Sequence, residues 1–474
     1  MSVLNKFVKD TGIYGLATVL PRLMNFLLVP LHTTELATSG YSDNTTFYIY
    51  AAFLNVLLSF GMETAFFRFF THASEKNKVY STTFISITSF TILFLVGIVA
   101  FNESLASLVN LNQKYFNLLI GVVLLDALVV APFAYLRATG KTKTFSIIKL
   151  SNVATYVLLN YFFLWFIPTF KIGTSFYDPT DLVQYIFISN LAASVVTFLF
   201  LTPYFFKVKM SFDLQIFKNL MSYGWPVMVA GLAYVINENF DKWLLPELLG
   251  KDINGAYAGC YKIAVFMTIF IQAFRIGAEP FFFSHSKSEN PQQTYATIMK
   301  YFVVFGSVLM VFVVSYLDII TSLVVPNETY WVAIGIVPII LLANLFLGIY
   351  FNLALWYKLT DRTRIGMYIS ILGAVITIGL NYMLIPKIGF MGSAWTTLIA
   401  YGVMMIVSYL LGRKHYPVPY NLVRIGLYLL LASGLSYVAM ENRGNYYLTT
   451  GLVFIFLIII GLLERKELQQ ILKR

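Results

Sequence analysis

The sequence has little charge and no long polar stretch. Only 12% of its 474 residues are charged, whereas 58% are hydrophobic. A soluble globular chain is about 25% charged and 45–50% apolar. So little charge cannot cover a water-facing surface, and no polar segment is long enough to fold alone. The composition therefore excludes a soluble protein and predicts helices stacked side by side in a lipid bilayer.

Several kinds of site are missing as well. Cys260 is the only cysteine, which excludes an intrachain disulfide. The four histidines have no metal-ligand spacing, so we expect neither a metal nor a cofactor. The stretch TGKTKT resembles the end of a phosphate-binding loop, but Tyr135 stands where that loop needs its first glycine. The net charge of +11 is spread over short loops, which argues against a nucleic-acid partner.

What the chain does have is fourteen apolar stretches of about the 20 residues that a span needs. They lie near residues 10–31, 46–68, 80–101, 115–136, 144–167, 182–205, 222–245, 255–283, 297–317, 330–356, 365–385, 389–411, 421–440 and 446–463. The first has no cleavage site and is interpreted as a retained span. Lys and Arg divide 24 to 6 between the two sides. This bias predicts that both termini are cytoplasmic.

Two parts of the chain resemble each other at a constant offset of 221. The segment from Leu136 and the segment from Tyr357 match at several polar positions, including Asn160 with Asn381. Six spans separate the two copies, and because this number is even, both copies cross the membrane in the same direction. The sequence therefore predicts a parallel structural repeat. The alternative is chance similarity of apolar helices. The predicted domains are an N-terminal six-helix lobe (1–205), an interfacial amphipathic linker (206–221), a C-terminal six-helix lobe (222–411) and two extra helices with a cytoplasmic tail (412–474).

Ionisable residues recur inside the spans, where each is costly and is a functional candidate. The candidate substrate-binding cations are Arg22, Lys262, Arg275 and Arg68. The alternatives are a buried structural ion pair for the deep cations and a snorkelling side chain for Arg68. The candidate ion-coupling or charge-balancing carboxylates are Glu63, Asp126, Glu238 and Glu279. Glu238 and Lys262 lie at similar depths and are predicted to be able to pair.

Three stretches carry a family resemblance: GMETAFFRFF from Gly61, AEPFFF, and NYMLIPKIGFMGSAWTTLIAYGV from Asn381. They resemble O-antigen-type polysaccharide flippases of the multidrug/oligosaccharidyl-lipid/polysaccharide (MOP) exporter superfamily. The resemblance implies an all-α membrane protein of about fourteen helices, with two six-helix lobes and two C-terminal helices. It also implies a bacterial inner-membrane transporter, not an enzyme, that moves undecaprenyl-diphosphate-linked oligosaccharides by alternating access for surface polysaccharides such as O-antigen.

The expected partners follow from that resemblance. They are the lipid-linked oligosaccharide, membrane lipid, H+ or Na+ as coupling ion, and polysaccharide polymerase machinery, with the chain itself a monomer. A cation-coupled multidrug exporter of the same superfamily is the first alternative, although Arg22 in the first span argues against a cavity for cationic cargo. A membrane-embedded polymerase or ligase is the second. Its usual long external loop is missing, since the longest external connections have about a dozen residues.

Overall fold

The computed structural model describes residues 20, 23–172, 177–286, 289–360, 362 and 364–465. These residues form helices joined by short connections, with no β-strand among them. They include thirteen helices long and apolar enough to cross a membrane. The predicted first span lies mostly outside the described residues, and its described part, 23–35, is helical. The predicted multi-pass, all-α architecture is confirmed.

The chain divides into two compact units, Met1–Gly255 and Ala256–Arg474. The helices of unit 1 are α1 (23–35), α2 (Thr38–Ser59), α3 (Met62–His72), α4 (Lys76–Ala100), α5 (Asn102–Leu108), α6 (Gln113–Ala138), α7 (Thr142–Tyr161), α8 (Ile167–Phe170), α9 (Val183–Phe205) and α10 (Leu214–Leu249). A π-helical turn, Phe162–Phe166, joins α7 to α8. Helix α11 (Lys251–Tyr261) leads into unit 2.

Unit 2 continues with a 3-10 turn, Lys262–Ala264, and a second 3-10 segment, Glu328–Ile336. Its helices are α12 (Val265–His285), α13 (Pro291–Ser315), α14 (Leu317–Val324), α15 (Val337–Leu353), α16 (Leu355–Leu359), α17 (Arg364–Ile388), α18 (Phe390–His415), α19 (Leu422–Glu441) and α20 (Tyr446–Leu463). The two C-terminal helices α19 and α20 both pack on α13.

The second predicted span is broken rather than continuous. Phe60 and Gly61 both adopt left-handed backbone angles, with φ of 51° and 67°, and α3 starts immediately afterwards. A Cβ at Gly61 would lie 2.2 Å from the carbonyl oxygen of Gly224 in α10. Glycine is therefore required at Gly61 both by the backbone angle and by the close approach of two helices.

The predicted interfacial linker is not a separate helix. Residues 206–213 have no helix, and the following residues form the first turns of the 36-residue helix α10. Asp213 starts that helix, because its side chain accepts hydrogen bonds from the backbone N–H groups of Gln215 and Ile216 at 2.9 Å. Helix α10 belongs by its contacts to unit 1. The structural boundary at Gly255 thus lies later in the chain than the predicted boundary between the lobes.

Two asparagines that are 221 positions apart, as the two sequence copies are, make the same hydrogen bond. Asn160 in α7 and Asn381 in α17 are both fully buried. Each donates its side-chain N–H to the carbonyl oxygen four residues earlier, at 2.7 Å for Tyr156 and 2.8 Å for Thr377. Each copy therefore stabilises the same part of its helix in the same way.

Candidate functional site: ionisable groups within each unit

Glu63 lies in the first turn of α3, directly after the break at Gly61. Its Oε1 accepts a hydrogen bond from Arg137 Nη1 of α6 at 2.6 Å. Both side chains are a little under half exposed, at 45% and 44%. The Arg137 guanidinium also lies 4.8 Å from the centre of the Phe67 ring. Of the two roles predicted for Glu63, this contact supports balancing the charge of a neighbouring cation.

Asp126 lies midway along α6, inside the bilayer, and its side chain is half-buried. Its Oδ1 accepts a hydrogen bond from the Ser194 hydroxyl of α9 at 2.8 Å, and the Asn55 side chain of α2 also bonds to it. Lys149 of α7 is the cation that attracts it. The Lys149 ammonium lies 4.4 Å from the centre of the Phe133 ring. Four helices of unit 1 therefore meet around one half-buried carboxylate, which suits a group that gains and loses a cation or proton.

A chain of polar contacts continues from this region between helices of unit 1. The hydroxyls of Tyr48 and Tyr156 lie 2.8 Å apart, and Asn190 donates to the Tyr48 hydroxyl at 3.1 Å. His32 Nε2 lies 2.8 Å from the side-chain oxygen of Asn160. His32 and Asn160 are both buried. Such contacts satisfy polar groups that would otherwise be left unpaired in the lipid-embedded part of the unit.

Arg68 and Glu238 make other contacts. Arg68 is exposed, and its guanidinium lies 4.6 Å from the centre of the Tyr223 ring. Glu238 is half-buried in α10, and its backbone oxygen accepts a hydrogen bond from Lys242 Nζ at 2.8 Å. Lys242 lies within the predicted span 222–245, but sequence reasoning did not single it out. Lys242 lies inside α10 and forms a buried ion pair with Asp241 at 3.1 Å.

In unit 2, Arg275 of α12 lies with its guanidinium 4.3 Å from the centre of the Phe351 ring. Arg275 also lines a pocket together with Lys358 of α16 and Asn352 of α15. Asn352 is buried, and its side-chain N–H donates to the Gly348 carbonyl at 3.1 Å. Its side-chain oxygen has no hydrogen-bond partner among the described residues. The pocket therefore combines two cationic groups with a buried amide, which are the groups that recognise phosphate and sugar.

Lys262 occupies the 3-10 turn before α12, and its side chain is exposed. Thirteen residues separate it from Arg275, which corresponds to about 20 Å along a helix. A single diphosphate group is much shorter than this distance. Lys262 and Arg275 consequently cannot hold the same diphosphate at one time, and the predicted pairing of Lys262 with Glu238 stays a prediction.

Unit 2 also contains a cluster at the end of α20 in which Glu464 and Lys300 are buried and Arg424 is partly exposed. Glu464 is 2% exposed and accepts from Lys300 of α13 at 2.5 Å and from Arg424 of α19 at 3.1 Å. The hydroxyl of Tyr428 donates to the same carboxylate at 2.5 Å. This cluster links the two C-terminal helices to α13, and its burial and complete pairing are typical of a structural site.

Two predicted residues cannot be placed. Arg22 and the side chain of Glu279 lie outside what the structure describes, so their roles stay predictions. Conversely, sequence reasoning did not single out Lys149 and Lys300, although both lie within the predicted spans and within helices α7 and α13. It also missed Lys358 as a site residue, although the internal repeat already matched this lysine to Arg137.

Metal binding finds no support in the described residues, where no three His, Cys, Asp or Glu side chains come together in a way that could hold a metal ion.

The chain is similar to several known membrane proteins. The chain is similar to the uncharacterized membrane protein MJ1068 of Methanocaldococcus jannaschii, with 24% identity over 436 residues, 86% of this chain and 84% of the relative. It also resembles the structure of the lipid II flippase MurJ in an inward closed conformation, with a TM-score of 0.73 and 15% identity over 96% of this chain and 99% of MurJ. At such identity the likeness establishes the fold.

A second structural likeness is to an inward-facing multidrug resistance MATE family transporter of the MOP superfamily. Its TM-score is 0.67 and its identity 14%, over 86% of this chain and 95% of that structure. The MatE family model matches residues 226–383. The model of the polysaccharide biosynthesis protein family matches residues 7–283, more than half of the chain. The chain therefore belongs to the polysaccharide biosynthesis protein family.

Proposed function

We propose that this protein is a flippase that moves an undecaprenyl-diphosphate-linked oligosaccharide across the bacterial cytoplasmic membrane by alternating access. The product would serve the synthesis of a surface polysaccharide. The observation that carries the proposal is the pocket of unit 2, where Arg275 and Lys358 lie together beside Asn352. Family membership supports the same substrate class, since lipid-linked sugars are intermediates of polysaccharide synthesis.

The groups that line the pocket suit a diphosphate headgroup, and because the pocket has room for only about one water molecule in this state, it must widen to bind one. A guanidinium offers two parallel N–H donors to phosphate oxygens, and the Phe351 ring holds its plane in place. The Lys358 ammonium adds a second charge that a diphosphate can reach at the same time. The unpaired oxygen of Asn352 offers an acceptor for a sugar hydroxyl. Together these groups would distinguish a diphosphate-linked sugar from a neutral lipid.

Unit 1 supplies the group that we propose to couple transport to an ion gradient. Asp126 is held by Ser194 and Asn55 and faces the positive charge of Lys149. Protonation of Asp126 would leave Lys149 without its balancing charge, which would change the electrostatics between α6 and α7. H+ is the ion that we propose, because one carboxylate with two neutral side chains, Ser194 and Asn55, provides few oxygen ligands for Na+.

The proposal is tested in vesicles that contain the purified protein and a fluorescent undecaprenyl-diphosphate-linked oligosaccharide. Translocation is measured as the fraction of lipid that becomes accessible to a membrane-impermeant quencher. We expect wild-type protein to move this lipid and the variant Arg275→Ala/Lys358→Ala to lose the activity. Each charge-assisted hydrogen bond is worth about 1.5–3 kcal/mol, so each cation should account for about a tenfold to hundredfold loss of affinity.

The matched control is Arg413→Ala/Lys387→Ala, which removes the same two residue types from exposed positions of unit 2. We expect this control to translocate as wild type does. Undiminished translocation by the pocket variant would exclude the pocket as the headgroup site. No translocation of any diphosphate-linked lipid by the folded wild-type protein would overturn the proposed function itself.

A cation-coupled multidrug exporter is the second candidate, favoured by the MatE match over residues 226–383 and by the carboxylate at Asp126. It predicts accumulation of cationic dyes in inside-out vesicles under a proton gradient. The flippase predicts no dye transport and no competition between dye and diphosphate lipid.

A further inference from the structure

Two lysines at one end of unit 1 lie against the same aromatic ring. Lys141 lies in the connection between α6 and α7, and Lys207 lies in the segment that follows α9. Both ammonium groups face the ring of Tyr204, and among the described residues no carboxylate makes a salt bridge with either. Two like charges held beside one ring repel each other, so this arrangement is stabilised when an anion binds between them.

The position of the lysine pair is fixed by the protein rather than by chance contact of flexible side chains. Gly140 has a φ of 69° and ends α6, and the backbone N–H of Lys141 donates to the carbonyl of Leu136 at 2.8 Å. This is the Schellman arrangement, which defines the backbone direction after a helix. The backbone of Lys141 is therefore held in a defined position relative to α6.

Aromatic rings hold both ammonium groups. Lys141 Nζ lies 5.1 Å and Lys207 Nζ 5.4 Å from the centre of the same ring, that of Tyr204. Lys207 Nζ also lies 5.8 Å from the ring centre of Tyr135. The Tyr204 backbone is in turn fixed, because its carbonyl accepts a hydrogen bond from the buried Tyr80 hydroxyl at 2.6 Å.

The surroundings of the pair are those of a membrane surface. Helices α6 and α9 end at Ala138 and Phe205, so both lysines lie just beyond the ends of spans. The segment that carries Lys207 also presents apolar side chains to the outside. The exposed ones are Phe206 (81%), Met210 (38%), Phe212 (49%) and Leu214 (57%). Apolar side chains next to lysines are typical of a segment that lies among lipid headgroups.

We propose that Lys141 and Lys207 form a binding site for the phosphate of an anionic membrane lipid, separate from the pocket of Arg275. The bound phosphate would accept from both ammonium groups, while Phe206 contacts the acyl region beside it. This site does not depend on the proposed transport activity. It would give unit 1 a preference for membranes with anionic lipid on that face.

The electrostatics of the lysine pair support this site. The hydrogen bond and the positive charge of Lys207 lower the pKa of Lys141. A bound phosphate would reverse this effect, because a negative charge favours the protonated amine. Lys141 should therefore be an unusually reactive amine without anionic lipid and should lose that reactivity when anionic lipid binds.

The experiment compares two double variants of the full chain in nanodiscs that contain phosphatidylcholine with increasing phosphatidylglycerol. Lys141→Gln/Lys207→Gln removes the pair. Lys143→Gln/Lys209→Gln removes two exposed lysines of the same two segments and the same total charge. Bound phosphatidylglycerol is counted by native mass spectrometry, and acetylation of individual lysines is followed by peptide mapping.

Loss of general surface charge should weaken anionic-lipid binding by about fivefold per lysine in both variants. We expect Lys141→Gln/Lys207→Gln to lose about a further tenfold or more, since it also removes charge-assisted hydrogen bonds. Lys141 should be acetylated faster than Lys143 in pure phosphatidylcholine and be protected by phosphatidylglycerol.

Three results would overturn the proposal. One is an equal loss of lipid binding in the two double variants. Another is acetylation of Lys141 that phosphatidylglycerol does not slow. The third is protection by soluble inorganic pyrophosphate as complete as that by the lipid, since this would assign the site to a free phosphate compound instead of a membrane lipid. Thermal unfolding of each variant in detergent confirms that it is folded before lipid binding is compared.

Discussion

The two units share a helical scaffold but differ in where they place their charges. At the offset of 221, Asn160 of unit 1 corresponds to Asn381 of unit 2, and both make the same buried bond to the preceding turn. His32 lies against the side-chain oxygen of Asn160, whereas that of Asn381 has no partner among the described residues. The two copies therefore share the asparagine bond within the helix but differ in the contacts that the asparagine makes with other helices.

The charged positions differ more strongly. Asp126 and Lys149 of unit 1 correspond at the same offset to Leu347 and Ser370 of unit 2. Unit 2 has its cations elsewhere, around Arg275 and in the buried cluster of Glu464. We interpret this as a division of tasks, in which half-buried charges of unit 1 respond to an ion and a pocket of unit 2 contacts the substrate.

The largest expected effect concerns the buried charges of unit 2. Glu464→Ala removes the carboxylate that balances Lys300 and Arg424. Breaking a buried ion pair typically costs about 3–5 kcal/mol, because it leaves an uncompensated charge. We expect a corresponding loss in the free energy of unfolding, measured in mixed detergent micelles. Glu441→Ala, an exposed carboxylate of α19, should change it by less than about 0.5 kcal/mol.

The next effect compares two glycines that each stand two residues before a glutamate, Gly61 in GMETAFFRFF and Gly277 in GAEPFFF. Gly61 has a positive φ and touches Gly224, whereas a Cβ at Gly277 would meet no atom within 4 Å. Gly61→Ala should cost at least about 2 kcal/mol through backbone strain and the clash. Gly277→Ala should be neutral or stabilise α12 by up to about 1 kcal/mol. Equal unfolding temperatures of the two variants would show that Gly61 is not strained by an added Cβ more than Gly277 is.

A smaller effect on stability is expected when Asp126 and Lys149 of unit 1 are replaced by Leu and Ser, the residues at the corresponding positions of unit 2. Asp126→Leu alone should lower the free energy of unfolding by about 1–2 kcal/mol, because Lys149 is left unbalanced but is only half-buried. Asp126→Leu/Lys149→Ser should recover most of that loss. Both variants should lose any dependence of translocation on a proton gradient. A double variant that still responds to the gradient would locate coupling elsewhere.

The sequence predicted the spans well because an apolar run of sufficient length has few alternatives to crossing the bilayer. It did not single out Lys149, Lys242 and Lys300 as buried or partly buried charges, because each lies near one end of its predicted span. Whether such a lysine is tolerated depends on a partner from a distant helix, such as Glu464 for Lys300. That information is not local in the sequence.

The break at Gly61 has a similar explanation. The glycine is visible in the sequence, but its left-handed conformation follows from the close approach of Gly224, 163 positions further along the chain. For the candidate site, Arg275, Asp126 and Glu63 could be singled out because each interrupts an apolar run. The partners Ser194 and Asn352 could not, since small polar residues are common throughout the spans.

The division of tasks is tested most directly by measuring binding and coupling separately in Arg275→Ala and Asp126→Asn. Binding of a short-chain fluorescent diphosphate glycolipid is measured by anisotropy in detergent, and coupling by translocation with and without a proton gradient. We predict that Arg275→Ala binds the glycolipid at least about tenfold more weakly, as loss of a charge-assisted contact implies. Asp126→Asn should bind normally and translocate independently of the gradient. Normal binding by Arg275→Ala together with weak binding by Asp126→Asn would contradict the account.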